Sequence, residues 1–322
     1  MNASARLPDL VRARRDGALD RDEYWIAMRD LHRGLREYEQ LVADAGLLAV
    51  EIAPSGLRLR LDGGVRFALD PDDLRAPPVV LLNESTYEPT EWSIVRALGG
   101  DARTVLDVGA NIGWYSVRLA AHRGDRSGLH AFEPIASTYE QLAGNIKLNA
   151  FEQQVTAHPF GLSDRDEIVR FYLPQSTGSV AASEQPLFDA EPQIVSDCQV
   201  RRLDDIAAEF PLADVDFIKC DIEGGEFGFL RGSESVLRRD RPTILLEMLR
   251  KWAAAFAYHP NDIIEWMKPL GYVCAAISER SVSRVLAVTD TTIETNFLFV
   301  HVDRVPVVTE LLAPEFSHVA FD

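Results

Sequence analysis

Cysteine is scarce in this sequence, with 3 residues in a chain of 322. Cys198, Cys220 and Cys274 lie far apart and are odd in number, which argues against a disulfide framework and excludes a C-x-x-C metal knuckle. Cys220 stands inside an apolar run and is predicted to be a small buried side chain. This pattern of cysteine use fits a reducing compartment, and we expect a cytoplasmic protein.

Positive charge is also in short supply, since 33 Lys and Arg residues face 50 Asp and Glu residues, a formal net charge of −17. Such a field repels phosphate backbones and no basic stripe offsets it, so we expect no nucleic-acid partner. No apolar run approaches the ~18–20 residues of a membrane span. The N-terminus lacks the apolar segment of a secretory signal. We expect no membrane partner.

The first part of the chain differs from the rest in its hydrophobic period. Asp20 to Ala45 carries apolar residues at a spacing of three to four, which predicts one amphipathic helix. Leu47 to Leu69 alternates apolar and polar residues between turn signals, which predicts a small antiparallel meander. We predict that residues 1–80 form a cap or a dimerisation segment, with a homodimer as one outcome, and that 81–322 form the main domain.

Short apolar strands alternate with helical segments from Thr104 onward, which is typical of a parallel sheet with crossover helices. The predicted strands are Thr104–Val108, Gly128–Phe132, Val155–Gly161, Val215–Cys220 and Thr243–Glu247. Tyr272–Ile277 and Asn296–Val302 follow with no helix between them, so we expect an antiparallel edge pair. The prediction is an α/β fold with a Rossmann-like sheet of seven strands. The polar segment Pro174 to Gln199 is predicted to be a long loop, either a lid or a mobile connection.

The strongest motif is D-V-G-A-N-I-G at residues 107–113, which follows a strand and opens a helix. Gly109 and Gly113 would let a ligand approach the backbone near the helix N-terminus. The spacing is G-x-x-x-G, whereas the dinucleotide fingerprint is G-x-G-x-x-G. Asp107 would repel a pyrophosphate and would favour a ligand that carries an ammonium and a sulfonium group.

Acidic residues also end the next two predicted strands. Glu133 is placed to accept hydrogen bonds from both hydroxyls of a ribose. Asp164, which follows Ser163, could meet an adenine amino group. Each acid alone is more typical of a turn residue or a helix cap. The three acids together, Asp107, Glu133 and Asp164, favour an adenosine ligand without phosphates.

The sequence resembles the FkbM-type class I methyltransferases over about residues 85 to 302. The matching motifs, in chain order, are Y-E-P at 87–89, D-V-G-A-N-I-G at 107–113, F-E-P at 132–134, N-I-K-L-N at 145–149, L-S-D at 162–164, L-D-D at 203–205, I-K-C-D-I-E-G-G-E at 218–226, R-P at 241–242 and N-F-L-F at 296–299. The resemblance implies a seven-stranded sheet, S-adenosyl-L-methionine as the methyl donor, and methylation of a hydroxyl in a natural product or a sugar. Ile222 and Gly225 depart mildly from the family's usual Val and Ala.

The residues expected to bind the cofactor follow from these motifs and from the strand ends. They are Tyr87, Glu88, Asp107, Gly109, Asn111, Gly113, Glu133, Ser163, Asp164 and Asp221.

The block D-I-E-G-G-E at residues 221–226 supplies the candidates on the acceptor side. Asp221 ends the fourth predicted strand, where ligands bind in doubly wound sheets. Glu223 is equally consistent with a site role and with the first turn of a helix, and Glu226 is better explained by the helix dipole. A hard metal ion held by Asp221, Glu223 and Glu247 is a minority alternative, and no metal is predicted.

Three residues are candidates for a base that deprotonates the acceptor: Asp221, Glu247 and His259. His259 follows the fifth predicted strand on the ligand side of the sheet, although a lone histidine is more often structural.

The predicted function is transfer of a methyl group to a hydroxyl of a small natural product, polyketide or sugar. Two alternatives stay open at this point. A nicotinamide oxidoreductase would need a third glycine in its fingerprint and a parallel sixth strand. A non-catalytic partner subunit would hold S-adenosylmethionine without turnover, its acceptor cavity blocked by the loop 174–199.

Overall fold

A computed structural model describes residues 7–174, 182–186, 193–210, 212 and 214–321. In this part of the chain the central sheet has nine strands rather than the predicted seven. Along the sheet they run β15 (His318–Ala320), β13 (Ser281–Val285), β12 (Tyr272–Ile277), β14 (Asn296–His301), β11 (Thr243–Glu247), β10 (Val215–Cys220), β4 (Thr104–Val108), β5 (Leu129–Phe132) and β6 (Val155–His158). The seven from β12 to β6 are the predicted strands. β13 and β15 extend the edge and were not predicted.

The direction of the strands confirms the predicted mixed sheet. β11, β10, β4, β5 and β6 are parallel to one another. β14 runs antiparallel to both β11 and β12, so the predicted antiparallel pair is confirmed. A dehydrogenase-type sheet requires a parallel sixth strand, and this antiparallel insertion argues against the oxidoreductase alternative.

Helices cover both faces of the sheet and enclose two apolar cores. One core is closed by α5 (Pro89–Gly99), α6 (Trp114–Arg123), α7 (Ala136–Leu148) and α13 (Val305–Leu312). The other is closed by α8 (Leu203–Glu209), α9 (Glu226–Arg231), α10 (Glu234–Asp240) and α12 (Pro260–Met267). The short helix α11 (Arg250–Ala255) lies between β11 and α12 in the chain. Among the described residues, we find no helix that combines the length and hydropathy needed to cross a bilayer.

The connection between β6 and β10 corrects two predictions. The predicted strand Val155–Gly161 ends at His158, and Gly161–Leu162 (β7) belongs to a separate three-stranded sheet with β8 (Glu167–Pro174) and β9 (Gln193–Arg201). The predicted loop Pro174 to Gln199 is therefore too long, because residues 193–199 pair with β8. Most of its remaining residues, 175–181 and 187–192, lie outside the described part of the chain.

The N-terminal region contains three helices and the predicted meander. The single helix predicted over Asp20 to Ala45 is broken into α2 (Arg21–Gly34) and α3 (Glu37–Asp44), and α1 (Leu7–Arg15) precedes them. The meander consists of β1 (Leu47–Ala53), β2 (Gly56–Leu61) and β3 (Arg66–Leu69), all antiparallel. α4 (Pro77–Glu84) leads into the main domain.

The meander packs onto the main domain, and α3 contacts the same core through the partly buried Val42. Leu59 and Phe67 are fully buried in the same core as α5 and α6, and the Phe67 ring lies 4.8 Å from that of Trp114. No residue of α2 or α3 is buried. A domain boundary at residue 80 would therefore assign the meander and the core that it packs into to different domains.

The motif N-I-K-L-N clamps the meander onto helix α7. Asn149 accepts a hydrogen bond from the Arg66 amide (2.8 Å) and donates one to the Arg66 carbonyl (2.7 Å). Asn145 accepts from the Ala68 amide (3.0 Å) and donates to the carbonyl of Ile112 (2.9 Å). Since Ile112 lies in the glycine motif, the same asparagine connects the meander to the candidate ligand loop.

Candidate active site

A cavity of about 100 Å³ opens at the carboxyl ends of β4, β5 and β10, where the crevice of a doubly wound sheet binds its ligands. One wall is the loop Val108 to Asn111 together with Glu133. The opposite wall carries Lys219, Asp221 and Glu223. Of the predicted site residues, Tyr87, Glu88, Gly109, Asn111, Glu133 and Asp221 line this cavity.

Hydrogen bonds to β5 fix the backbone of the loop after β4. The amides of Gly109 and Ala110 both donate to the carbonyl of Phe132, at 3.1 and 3.0 Å. Gly109 has φ +77°, in the left-handed region that favours glycine. A Cβ atom there would lie 2.0 Å from the carbonyl oxygen of Asp221. The loops after β4 and β10 therefore touch backbone to backbone at this glycine.

Glu133 is fixed at the end of β5 by backbone donors. Its two carboxylate oxygens accept from the amides of Asn111 and Ile135, each at 2.9 Å. The residue is only 5% exposed, and burial raises the pKa of its carboxyl to about 7, although the two amides oppose the shift. The carboxylate is thus oriented toward the cavity before any ligand arrives.

Asp107 lies behind the cavity rather than in its lining. Its side chain is buried and accepts a hydrogen bond of 2.6 Å from the hydroxyl of Ser116 on α6. Asp107 stands opposite Lys219 in the pairing of β4 with β10. Burial raises the pKa of Asp107, and the charge of Lys219 opposes that shift. The structure thus binds Asp107 to helix α6, which follows the glycine loop.

The opposite end of the cavity is acidic. Oxygen atoms of Asp221, Glu223 and Glu247 all lie within 4.8 Å of one another, a set that could share a cation. Burial raises the pKa of Glu247, and so do the charge of Asp221, that of Glu223 and a hydrogen bond with Asp221. Burial and the Asp221 charge likewise raise the pKa of Glu223. Glu247 faces a small side cavity adjoining the main one.

Lys219 places one positive charge among these acids. Its Nζ lies 3.3 Å from the Asp221 carboxylate, and the side chain is buried. Burial lowers the pKa of Lys219, but the charges of Asp221, Asp107 and Glu88 together raise it above its ordinary value. Asp221 is therefore paired with a positive charge, whereas the surroundings of Glu247 stabilise its protonated form.

Tyr87 and Glu88 close the cavity from the N-terminal side. Glu88 precedes α5 in a left-handed conformation (φ +46°), and it accepts a hydrogen bond from the hydroxyl of Tyr115. Burial raises the pKa of Glu88. Neither Tyr115 nor Lys219 was predicted as a site residue. A lysine inside an apolar strand and a tyrosine directly after the glycine motif are the signals that could have indicated them.

Besides Asp107 and Glu247, four predicted residues lie outside the lining of this cavity. Asp164 pairs with Arg231 at 2.5 Å, and the Ser163 amide donates to Arg201, so both belong to the packing of the small sheet against α9. Gly113 caps the start of α6 with φ +86°. His259 is exposed and caps α12, its Nδ1 accepting from the Asn261 amide at 3.2 Å.

Glu226 occupies the structural position that the helix-dipole interpretation favoured. It is buried in the first turn of α9 and accepts from the amides of Ile222 (3.2 Å) and Gly224 (3.1 Å). The Tyr258 hydroxyl donates to it at 3.0 Å, and burial raises its pKa to about 6. Glu226 thus shapes the loop that carries Asp221 and Glu223.

Comparison with known proteins identifies the main domain. Residues 107–274, just over half of the chain, match the model of the methyltransferase FkbM domain. The chain is 28% identical over 328 aligned positions to the AMB antimetabolite synthetase AmbE of Pseudomonas aeruginosa, an alignment that covers 83% of this chain and 15% of the synthetase. Methyltransferase 1 of Beauveria bassiana is 28% identical over 148 positions, which cover 41% of this chain and 59% of that protein.

Solved structures include an FkbM methyltransferase from Methylobacillus flagellatus, at 17% identity and a TM-score of 0.41. That alignment covers 84% of this chain and 60% of the other. This chain accordingly spans less than two thirds of the length of the curated relatives described above.

Proposed function

The chain belongs to the FkbM methyltransferase family, and on that ground we propose that it transfers the methyl group of S-adenosylmethionine to a hydroxyl oxygen of a small natural product, polyketide or sugar. The observation that carries the proposal is the placement of Glu133. Two backbone amides orient its carboxylate, which lines the same cavity as the backbone of Gly109.

The donor side of the cavity suits a nucleoside without phosphates. Glu133 can accept hydrogen bonds from the two ribose hydroxyls, and the Gly109–Ala110 backbone permits close approach. The acids on the far wall suit the ammonium and sulfonium groups of the donor and disfavour a pyrophosphate. The same charge pattern, together with the antiparallel strand β14, speaks against a nicotinamide cofactor.

The acceptor side offers one candidate base in the cavity itself. Asp221 lines the main cavity and is paired with Lys219, and we propose it as the base. Glu247 shares a hydrogen bond with Asp221 that favours its own protonated form, so it orients Asp221. Because the donor is already activated, positioning of oxygen, methyl carbon and sulfur supplies most of the rate, and a base adds about 10²–10⁴-fold. His259 caps α12 and is not part of the cavity lining, so we do not propose it as the base.

The class of acceptor is inferred from the relatives. One relative is by name an antimetabolite synthetase, and another, methyltransferase sdnD of Sordaria araneosa, is 26% identical over 154 positions, 40% of this chain and 59% of that protein. A small hydroxylated metabolite is the acceptor that we propose.

Calorimetry with S-adenosylhomocysteine tests the donor assignment. Glu133→Ala removes charge-assisted hydrogen bonds worth ~1.5–3 kcal/mol each, so we expect affinity to fall by one to two orders of magnitude, roughly. Glu140→Ala, an exposed glutamate on α7, is the matched control and should bind as the wild type does. An unchanged affinity in folded Glu133→Ala would contradict the assignment of the donor site to this cavity.

Mass spectrometry of reactions with candidate hydroxylated metabolites tests the transfer. With an acceptor in hand, Asp221→Asn should lower kcat, and a fall in donor affinity as well would assign Asp221 to the donor. His259→Ala should leave kcat unchanged. A product methylated on nitrogen or carbon would contradict O-methylation. Binding of the donor with no methylated product from any acceptor class would favour the non-catalytic alternative.

A further inference from the structure

A second cavity lies on the outer side of the wall formed by Tyr87 and Trp114. We call it the Arg118 groove; it has a volume of about 730 Å³ and runs between the meander, the start of α5 and helix α6. Its walls include Leu47, Leu61, Thr86, Trp92, Trp114 and Arg118. Tyr87 and Trp114 line both this groove and the methyl-transfer cavity, so the two spaces share a wall.

The guanidinium of Arg118 is the central group of the groove. It lies over the rings of Trp92 and Trp114, with its Cζ 3.9 and 4.8 Å from the two centroids. An arginine carries five N–H donors, and the face of an aromatic ring attracts its charge without satisfying those donors. In the described part of the chain, Arg118 makes no ion pair, and its buried Nη1 has no acceptor.

No acid of the groove neutralises this charge. Asp62 also lines the groove, but its carboxylate accepts from the adjacent Gly63 amide at 2.9 Å and makes no ion pair within the described residues. Arg96 adds a second guanidinium, which is bound to Glu315 at 2.6 Å. Burial lowers the pKa of Arg118 to about 10, so it stays charged at neutral pH.

The charge of Glu88 raises the pKa of Arg118 but forms no ion pair with it. A half-buried guanidinium that makes no ion pair is a receptor for an oxyanion, because its planar fork matches two oxygens of a carboxylate or phosphate. The hydroxyls of Ser85, Thr86 and Ser93 line the same groove and can donate to such an oxygen. The indole N–H of Trp114 is a further buried donor with no acceptor in the described part of the chain. These donors gather in one place on a chain whose net charge is −17.

We propose that the Arg118 groove binds an oxyanion, the carboxylate or phosphate group of a small molecule, through the guanidinium of Arg118 and the hydroxyls beside it. The proposal does not depend on the acceptor or on methyl transfer. A ligand seated there would contact the outer faces of Tyr87 and Trp114, which also bound the cavity assigned to the methyl donor.

Calorimetric titration of the full chain with inorganic phosphate and, separately, with acetate tests the proposal in low-salt buffer. Saturable binding of at least one anion is expected in the wild type, and the tighter of the two identifies the chemical class. Arg118→Met should weaken that binding by about tenfold to a hundredfold, the loss of one or two charge-assisted hydrogen bonds. Arg118→Lys keeps the charge without the fork and should fall between them.

Arg284→Met is the matched control, since Arg284 is an exposed arginine on β13 with no ion pair in the described part of the chain. It should bind either anion as the wild type does. Absence of saturable binding of both anions by the wild type overturns the proposal, and so does equal affinity in Arg118→Met. If Arg118→Met fails to fold, wild-type affinity in Arg118→Lys overturns the role of the fork.

Discussion

Gly109 is the residue at which the loops after β4 and β10 approach each other beside the candidate cavity. A methyl group there would meet the carbonyl oxygen of Asp221 at 2.0 Å, in a backbone conformation (φ +77°) that L-residues rarely adopt. Because the clash involves backbone atoms, no side-chain rotation can relieve it. The same glycine thus serves the packing of two loops as well as the approach of a ligand.

We expect Gly109→Ala to destabilise the fold by about 2–4 kcal/mol, a strained-backbone effect, and to abolish binding of S-adenosylhomocysteine. Denaturant unfolding and calorimetry measure the two effects. Gly144→Ala is the matched control, since a Cβ at this helical glycine meets nothing within 4 Å. It should be neutral or stabilise by up to ~1 kcal/mol. Wild-type stability in Gly109→Ala would contradict the loop contact.

Glu247 makes the stability of the protein depend on pH. Its carboxyl pKa is raised above the ordinary 4.5 by burial, by the charges of Asp221 and Glu223, and by the hydrogen bond with Asp221. The folded protein therefore keeps a proton that the unfolded chain releases above pH ~4.5. The stabilisation from this group is complete below that pH and is lost as pH rises toward the raised folded-state pKa.

We expect Glu247→Gln, which cannot ionise, to flatten the fall in the free energy of unfolding between about pH 6 and about pH 9. Urea denaturation at several pH values measures the slope. Glu310→Gln, at an exposed position on α13, should keep the wild-type slope. A slope unchanged by Glu247→Gln would mean that the cluster does not hold its proton.

At the scale of elements, the clamp between α7 and β3 connects the N-terminal meander to the ligand loop. Asn149 replaces the ladder partner that an edge strand lacks, by bonding both the amide and the carbonyl of Arg66. Asn149→Ala leaves these two half-buried backbone groups without their partners. We expect a loss of about 1–3 kcal/mol in stability, measured by denaturant unfolding.

Lys147→Ala controls for this substitution, because Lys147 is exposed on the same helix and should cost little. Asn145→Ala should additionally weaken donor binding, since Asn145 also bonds the Ile112 carbonyl of the glycine motif. A loss of stability in Lys147→Ala as large as in Asn149→Ala would show that the clamp is not specific.

Elements with strong periodicity were predictable, and elements that depend on pairing partners were not. The alternation of Leu57, Leu59 and Leu61 predicted β2 correctly. β15 has only three residues, and β13 (S-V-S-R-V) is mostly polar, so neither carries a clear hydrophobic signal of its own. β13 becomes a strand because the edge of β12 offers backbone partners, and β15 because β13 in turn offers them. The break between α2 and α3 likewise interrupts an unbroken apolar spacing.

At the scale of the whole molecule, the exposed apolar face of α2 needs a partner. Trp25 and Leu31, which flank Met28 on this face, are 59% and 40% exposed, and no residue of this helix is buried. An amphipathic helix normally buries its apolar stripe. We propose that a second copy of the chain covers it, giving a homodimer.

Light scattering should then report twice the mass of one chain for the full protein. The double variant Trp25→Glu with Leu31→Glu, like deletion of residues 1–46, should give the monomer mass. The pair Arg29→Glu with Arg33→Glu, exposed on the same helix, controls for added negative charge. A monomeric wild type, or a dimer that survives the double variant, would contradict this interface.

The sequence by itself determined the fold class, the family and the strand ends at which the site lies, because hydrophobic period and short motifs are local properties. It also predicted Glu133, Asp221 and the glycine loop as site residues, and these line one cavity. The tertiary structure alone decided which acids share a cavity. In the folded chain Asp164 forms an ion pair with Arg231, because the chain leaves the central sheet after His158 and enters a separate sheet.

The same holds for residues that were not predicted as site residues. Lys219 gains its role because the pairing of β10 with β4 places it opposite Asp107, and Arg118 because the meander folds back over α6 to form a groove. His259 became a helix cap since α12 begins directly after it. Charge, burial and hydrogen bonding depend on neighbours distant in sequence, and these were fixed only when the sheet assembled.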